Sequence, residues 1–189
     1  MLIEVARQLF AKSGVENTTM NDIAQASKKG RRTLYTYFKN KNEVYLAVIE
    51  SEINQLHSSL TEVLHTDLRA DKKLVAYIYA RLDAVKQVVS RNGTLRAQFF
   101  RDIWKVENVR KKFDLRDIEI IRSIIEDGVK ENVFVVPDPA ITASILHHAL
   151  KGLEVPYIRG IIGTGLSREE SIISIIFNGI RVNRNVNYA

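Results

Sequence analysis

The sequence predicts an all-α protein of about nine helices, in which three short helices are followed by a longer helical region. Apolar residues recur mostly at helical spacing, and the alternation that is typical of strands is scarce. Only three prolines and nine glycines interrupt the 189 residues. Hydrophobic residues make up 46% of the chain and charged residues 26%, which is the balance of a soluble globular protein.

Caps bound the first four predicted helices. These helices span about Leu2–Lys12, Met20–Gln25, Arg31–Tyr37 and 41–64. Gly14 follows the first helix as a C-terminal cap. Thr19 and Asp22 form a near capping box at the second helix, and Asn40 is a good N-cap for the fourth.

Five further helices are predicted in the rest of the chain. They span about Leu74–Ser90, Leu95–Lys105, Leu115–Glu131, Ala140–Val155 and 168–182. Ser167 and Glu170 form a second capping box before the last of them. VFVVPDP, residues 133–139, is the only strand-like run. It is too short and isolated to make a sheet, so we expect a connection that packs on the helices.

Composition limits the class of protein and its partners. The chain has no cysteine, which excludes disulfides and thiolate chemistry and is compatible with a reducing cytoplasm. MLIEVARQLF lacks the apolar core of a signal peptide, and no run of about 18 apolar residues predicts a transmembrane helix. We therefore expect a cytoplasmic protein without a membrane partner. Residues 1–45 hold eight Lys and Arg against four Asp and Glu, so the excess positive charge lies near the N-terminus.

Residues 28–41, KKGRRTLYTYFKNK, combine this charge with a structural pattern. Two short helices joined by a tight turn make a helix-turn-helix arrangement, whose second helix enters the major groove of DNA. Leu34 and Phe38 should face inward onto Phe10 and Ile23. The basic and hydroxyl side chains then face outward. Taken alone, such a charge run could equally be a solvated surface.

The outward side chains have the chemistry of DNA contacts. Arg pairs bidentately with guanine, and Thr bonds a base or touches a thymine methyl. Lys, Tyr and helix N-termini hold phosphates without reading sequence. The predicted DNA-binding residues are Thr19, Asn21, Lys28, Lys29, Arg31, Arg32, Thr33, Tyr35, Thr36, Tyr37 and Lys41.

These motifs closely resemble the DNA-binding domain of the TetR family of transcriptional regulators. The residues that carry the resemblance are Ile3, Ala6, Leu9, Phe10 and Gly14, then Thr18, Thr19, Met20, Asp22, Ile23 and Ala24, then Thr33, Leu34, Tyr35, Tyr37, Phe38 and Lys41. Beyond residue 50 the helical layout and the segment GVKENVF, 128–134, also match.

The resemblance implies a homodimer that binds a palindromic double-stranded DNA operator, usually represses, and is released by an unknown small-molecule ligand. It implies a DNA-binding domain at 1–45 and a helical ligand-binding and dimerisation domain at 46–189. By motif position, Arg31, Arg32, Thr33 and Tyr35 match base-edge or groove-facing positions, and Thr19, Tyr37 and Lys41 match phosphate-contacting ones. Arg32 departs from the small residue that the family often has.

Helices eight and nine are apolar on most sides, which predicts burial on most sides. The predicted dimer interface comprises Ile141, Ile145, Ala149, Leu153, Ile172, Ile173, Ile176 and Ile180. The resemblance also implies a four-helix interface, with two helices from each chain. Burial of the same residues in a monomer core is the alternative.

A ligand pocket is predicted among aromatic and amphipathic side chains of the middle helices, because such pockets are mostly apolar with a few polar anchors. The candidates are Tyr77, Phe99, Phe100, Trp104, His147 and Tyr157. Each of them could instead belong to the core.

Neither an enzyme nor a metal site is predicted. Adjacent His147 and His148 point about 100° apart on a helix and would not chelate one ion together. No Ser-His-Asp or paired-carboxylate spacing stands out, and we expect no cofactor. Two rival functions remain: a protein-interaction module on a helix-turn-helix scaffold that does not read DNA, and a helical enzyme or carrier acting through residues 45–189.

Overall fold

The computed structural model describes residues 1–93, 103–162, 174 and 176, and for 103–110 it describes the backbone alone. The predicted all-α class is confirmed over these residues. They contain seven α-helices: α1 Leu2–Ser13, α2 Met20–Ala26, α3 Arg31–Tyr37, α4 Lys41–Glu62, α5 Ala70–Arg91, α6 Ile103–Lys130 and α7 Pro139–Ile158. A 3-10 helix, Val63–His65, follows α4.

Helix α6 differs from its prediction. We expected one helix to end at Lys105 and another to begin at Leu115, but Ile103–Lys130 is a single helix of 28 residues. The sequence between the two predicted helices contains neither Gly nor Pro, so nothing in it stops a helix. Of the predicted ninth helix, Ser174 and Ile176 are described, and both are helical.

The N-terminal helices share a core that confirms the predicted inward face of α3. Leu34, Phe10 and Ile23 are fully buried in one cluster, and Phe38 packs against it. Tyr45 of α4 meets the Phe10 ring edge-on, with 6.3 Å between the ring centroids. Helix α3 is therefore held by apolar packing on its inner side.

The chain forms two compact units that are not contiguous in sequence. The first unit contains Met1–Leu56 and Gln87–Phe113. The second contains His57–Lys86 and Asp114–Ala189. Helices α4, α5 and α6 each contribute residues to both units.

The connection between α6 and α7 packs as predicted. Asn132 takes a left-handed conformation at φ 57°, and the backbone N–H groups of Val133 and Phe134 both donate to the carbonyl of Gly128. This places the buried Phe134 ring directly over Gly128. Asp138 then caps α7, accepting from the N–H groups of Ala140 and Ile141.

Candidate functional site

Helix α2 begins with the capping box that the sequence predicts. The Thr19 hydroxyl accepts from the Asp22 N–H at 3.1 Å, and the Asp22 carboxylate accepts from the Thr19 N–H at 2.8 Å. The Thr19 hydroxyl also donates to Asp22 at 2.7 Å, and these bonds hold the pKa of Asp22 below its ordinary value. Thr19 therefore caps the start of α2, and its hydroxyl proton is used in the bond to Asp22.

The turn between α2 and α3 begins with a tight helix-ending motif whose left-handed residue is not glycine. Lys28 adopts a left-handed conformation at φ 53°, and its N–H donates to Gln25. The Lys29 N–H donates back to Ala24 at 3.1 Å, which completes a Schellman motif. Both lysine side chains are exposed, so a well-defined turn presents their charge.

Helix α3 turns all its predicted DNA-binding side chains outward. The exposed residues are Arg31, Arg32, Thr33, Tyr35, Thr36 and Tyr37. The guanidinium of Arg31 lies 5.8 Å from the ring centroid of Tyr35, so the two side chains form one stacked pair. The Thr36 hydroxyl donates to the Arg32 carbonyl at 3.0 Å within the helix.

Hydrogen bonds join the start of α4 to the residues just before it and to the connection between α1 and α2. Asn40 caps it as predicted, accepting from the Glu43 N–H at 3.0 Å, and the Glu43 carboxylate accepts from the Lys39 N–H at 2.7 Å. Lys41 is half-buried, and its ammonium donates to the Glu16 carbonyl at 3.2 Å. This bond to the connection before α2 was not foreseen from the sequence.

A buried polar cluster lies within the second unit. Asp117 of α6 is fully buried and accepts from three side chains: the Tyr77 hydroxyl, Arg81 Nε at 3.0 Å and His147 Nδ1 at 2.5 Å. Arg81 also pairs with Glu154 at 2.8 Å. Asp114 pairs with Lys151 at 2.5 Å. Helices α5, α6 and α7 all contribute to this cluster.

Two donor atoms in the cluster have no hydrogen-bond partner, although both side chains are buried. They are Nη1 of Arg81 and Nε2 of His147. The nearest acceptor to the latter, Oδ1 of Asp114, lies 3.5 Å away, which is too far for a well-formed bond. Leaving a buried donor unpaired costs about 1–3 kcal/mol, so an acceptor bound next to these atoms would recover part of that cost.

The cluster shifts the pKa values of its members. Burial opposes a charge on His147, but the carboxylates of Asp114 and Asp117 outweigh this and raise its pKa. Burial likewise opposes a charge on Asp114, but His147 and Lys151 lower its pKa to about 2. The pKa of Asp117 is also lowered, since the bonds from His147 and Arg81 outweigh its burial.

The structure brings two of the six predicted ligand-binding residues together, because Tyr77 and His147 meet at Asp117. Tyr157 is buried elsewhere in the unit, bonded to Asp83 at 2.6 Å with the Lys86 ammonium over its ring. Phe99 and Phe100, and the side chain of Trp104, lie outside the described residues. Among the residues described, no group of three or more His, Cys, Asp or Glu is arranged to hold a metal ion.

The sequence reading missed Arg81 and Asp117. The available signal was their position, since each lies within four residues of the apolar positions Ile78 and Ile121 on its own helix. A charged residue on an apolar stripe either breaks the stripe or is paired inside the fold, and both of these are paired.

Helix α7 exposes part of the predicted dimer interface. Ile141 and Ile145 are 60% and 62% exposed, and Ala149 is exposed on the same stripe. Leu153 and Ile176 are half-buried, whereas Ile172, Ile173 and Ile180 lie outside the described residues. Over the part of the chain that the structure describes, no helix is both long enough and apolar enough to cross a membrane.

Known proteins are similar to this chain both in the N-terminal motif and in the fold. Residues 2–48 match the family model described as bacterial regulatory proteins, tetR family. The HTH-type transcriptional regulator YhgD of Bacillus subtilis (strain 168) is 25% identical over 151 residues, which cover 77% of this chain and 76% of that protein.

Solved structures share the fold along most of the chain. A transcriptional regulator from Cytophaga hutchinsonii superposes with a TM-score of 0.75 at 24% identity, covering 95% of this chain and 96% of that one. A regulator from Saccharomonospora viridis, solved in complex with choline, gives a TM-score of 0.69 at 21% identity over 95% of each chain. The capped helix-turn-helix, the matched motif and the shared fold lead to one conclusion: residues 2–48 form a helix-turn-helix domain of the tetR-family kind, in a chain that shares its fold with known transcriptional regulators.

Proposed function

We propose that this protein is a transcriptional repressor of the TetR family that binds a palindromic operator as a homodimer and leaves it when a small molecule binds. The observation that carries the proposal is the exposed face of α3, where Arg31, Arg32, Thr33 and Tyr35 stand on a helix fixed by the buried Leu34. Side chains on a rigid element reach base edges with defined geometry.

The exposed stripe on α7 supports the homodimer. Two large isoleucines, Ile141 and Ile145, stand one turn apart with most of their surface in solvent. Burying an aliphatic side chain contributes about 1.5–3 kcal/mol, so pairing this stripe with its symmetric copy is favourable. The dimer would place two α3 helices about 34–36 Å apart, one turn of DNA.

The buried polar cluster supports a ligand site in the second unit. Nη1 of Arg81 is a buried donor without a hydrogen-bond partner, and Nε2 of His147 has only Asp114 Oδ1 at 3.5 Å, so an acceptor oxygen on a ligand would satisfy both donors. A protein of similar fold from Saccharomonospora viridis was solved in complex with choline, so a protein of this fold can bind a small molecule. A ligand that binds better to a state with a different α3 spacing would shift the population away from the DNA-bound state.

Selection of bound sites from a random duplex DNA pool tests the proposal. We expect a palindrome whose half-site centres lie about one helical turn apart. A single asymmetric half-site would contradict the dimer. Failure to enrich any sequence would contradict operator binding and favour an interaction module on the same scaffold.

Arg31→Ala should weaken operator binding by about 1–3 kcal/mol and relax the base preference at one position, because it removes a base-reading guanidinium and its stacking on Tyr35. Titration of operator and random duplexes by fluorescence anisotropy measures both effects. Lys29→Ala is the matched control: it also removes one exposed positive charge, but from the turn, and should weaken both duplexes alike. Equal losses on the two duplexes for Arg31→Ala would show that Arg31 contacts the backbone.

A further inference from the structure

Glu52 of α4 is a buried carboxylate that accepts hydrogen bonds from side chains about 40 residues away in sequence. It is 4% exposed. Arg91 donates to it through Nε at 2.9 Å and Nη2 at 2.5 Å, and Asn92 Nδ2 donates at 2.7 Å. Arg91 and Asn92 stand at the end of α5, so this carboxylate holds that end against α4.

Helix α1 joins the same contact. Arg7 forks onto Glu4 at 2.5 and 2.9 Å, and its Nη1 reaches the Arg91 carbonyl at 3.3 Å and Asn92 Oδ1 at 3.4 Å. Its Nε also lies 3.9 Å from Glu52. Gly93 sits so close to the Ala11 carbonyl that an added Cβ would lie 2.6 Å from that oxygen. The end of α5 is therefore fixed to α1 as well as α4.

We call the four residues Arg7, Glu52, Arg91 and Asn92 the clamp. Their chemistry fixes the relative position of helices α1, α4 and α5 more than it adds to the free energy of unfolding. Burying a carboxylate carries a desolvation cost that its partners must offset, so such a contact contributes little net stability. Its several directional bonds, however, accept only one arrangement of the groups. Helix α1 packs in the same apolar cluster as α3, so fixing α1 also fixes α3.

Helix α5 gives the clamp a further role. It is one continuous helix, Ala70–Arg91, whose early turns carry Tyr77 and Arg81 of the buried polar cluster. We propose that Glu52 is a positioning residue that fixes the DNA-binding helices on the end of α5 and so determines which half-site spacing the dimer accepts. This inference rests on the proposed function, since spacing has meaning only for a dimer on a palindrome.

Glu52→Gln tests this role with little change of volume. One carboxylate oxygen becomes an NH2 group that faces the donors of Arg91 and Asn92, so the clamp loses a bond as well as its charge. Glu50→Gln is the matched control, because it removes the same charge from an exposed position of the same helix. Binding is measured on the selected palindrome, on versions with one base pair added or removed between half-sites, and on a single half-site.

We expect the wild type and Glu50→Gln to discriminate strongly against the altered spacings. Each base pair moves the half-sites by about 3.4 Å, more than a fixed dimer can absorb. Glu52→Gln should reduce the ratio of affinities for the selected and altered spacings by about tenfold, with its affinity for a single half-site unchanged. A merely structural role would lower all three affinities together and leave the ratio between spacings intact.

Arg91→Lys provides a second variant if Glu52→Gln does not fold, as judged by circular dichroism. It keeps the positive charge but removes the fork, and should relax the spacing preference in the same direction. Unchanged spacing ratios in the folded variants would overturn the inference while leaving the proposed function intact. If the wild type itself selects no palindrome, the proposed function fails first, and that result is distinguishable from this one.

Discussion

Asp117 shows how a single residue can organise a site that the sequence only partly reveals. Tyr77 and His147 could be predicted as pocket candidates, because they are aromatic or amphipathic side chains on the middle helices. Their common partner could not, since Asp117 lies 40 residues from one and 30 from the other. Such a contact depends on how α5, α6 and α7 pack, and helical periodicity within one segment carries no information on that packing.

The cluster makes stability depend on pH at His147. Its pKa is raised above the ordinary 6.5, so its contribution is fully present below that value and is lost as pH rises through the folded pKa. The free energy of unfolding should therefore fall above pH 6.5, by at most about 1.4 kcal/mol per pH unit from this group. Urea unfolding at a series of pH values measures it.

Two histidine variants separate this effect from other titrations. His147→Gln should remove the alkaline fall in stability, whereas His148→Gln, its exposed neighbour, should keep it. Retention of the full pH dependence in His147→Gln would show that another group is responsible. Below pH 3.8 a second loss is expected in the wild type and in His148→Gln, because carboxylates with lowered pKa values, here Asp114 and Asp117, contribute their stability above that range and lose it as the pH falls. This loss should be smaller in His147→Gln, since His147 is a main cause of both lowered pKa values.

At the scale of elements, local chemistry predicted the two helix starts that carry a capping residue. Thr19 and Asn40 cap their helices as expected, because capping depends on residues three apart in sequence. The break expected between residues 105 and 115 was wrong, because a lapse in apolar periodicity does not end a helix that lacks Gly and Pro. The left-handed Lys28 was also beyond prediction, since glycine is the residue that signals that conformation.

The end of α6 offers a test of packing against propensity. Gly128→Ala should favour the helix intrinsically, yet the new Cβ would overlap the buried ring of Phe134. We expect a net destabilisation of about 1–3 kcal/mol, measured by urea unfolding.

A double-mutant cycle supplies the control for this substitution. In a Phe134→Ala background the overlap is absent, so Gly128→Ala should become neutral or slightly stabilising. If the cost of Gly128→Ala persists in that background, the strain lies in the backbone around residue 128 and not against the ring.

At the scale of the whole molecule, the proposed dimer depends on the α7 stripe. Ile145→Glu should dissociate it, because the two-fold axis would bury two unpaired carboxylates. A cost of about 3 kcal/mol corresponds to a roughly hundredfold weaker dimer. Sedimentation velocity over a concentration series measures this directly.

Val135→Glu is the matched control for the dimer test. It introduces the same charge at an apolar residue that is 67% exposed, but outside α7. It should leave the association unchanged. A dimer that survives Ile145→Glu would place the subunit contact elsewhere on the chain.

The sequence anticipated a division of the chain near residue 45, and that boundary stays a prediction. What the sequence could not show is that the first compact unit gathers two separate stretches, Met1–Leu56 and Gln87–Phe113. The contacts that join them, such as the bond from Asn92 to Glu52, link residues 40 apart. No periodicity or capping signal spans that distance.

That discontinuity has a consequence for protein engineering. A chimeric regulator made by exchanging the first 56 residues would carry Glu52 into a new host without Arg91 or Asn92, and would leave a buried carboxylate with no donor from α5. A transplant that also brought Gln87–Gly93 would keep the acceptor and its donors together. The exchangeable module of this protein is therefore defined by its clamp, and a single cut in the chain cannot isolate it.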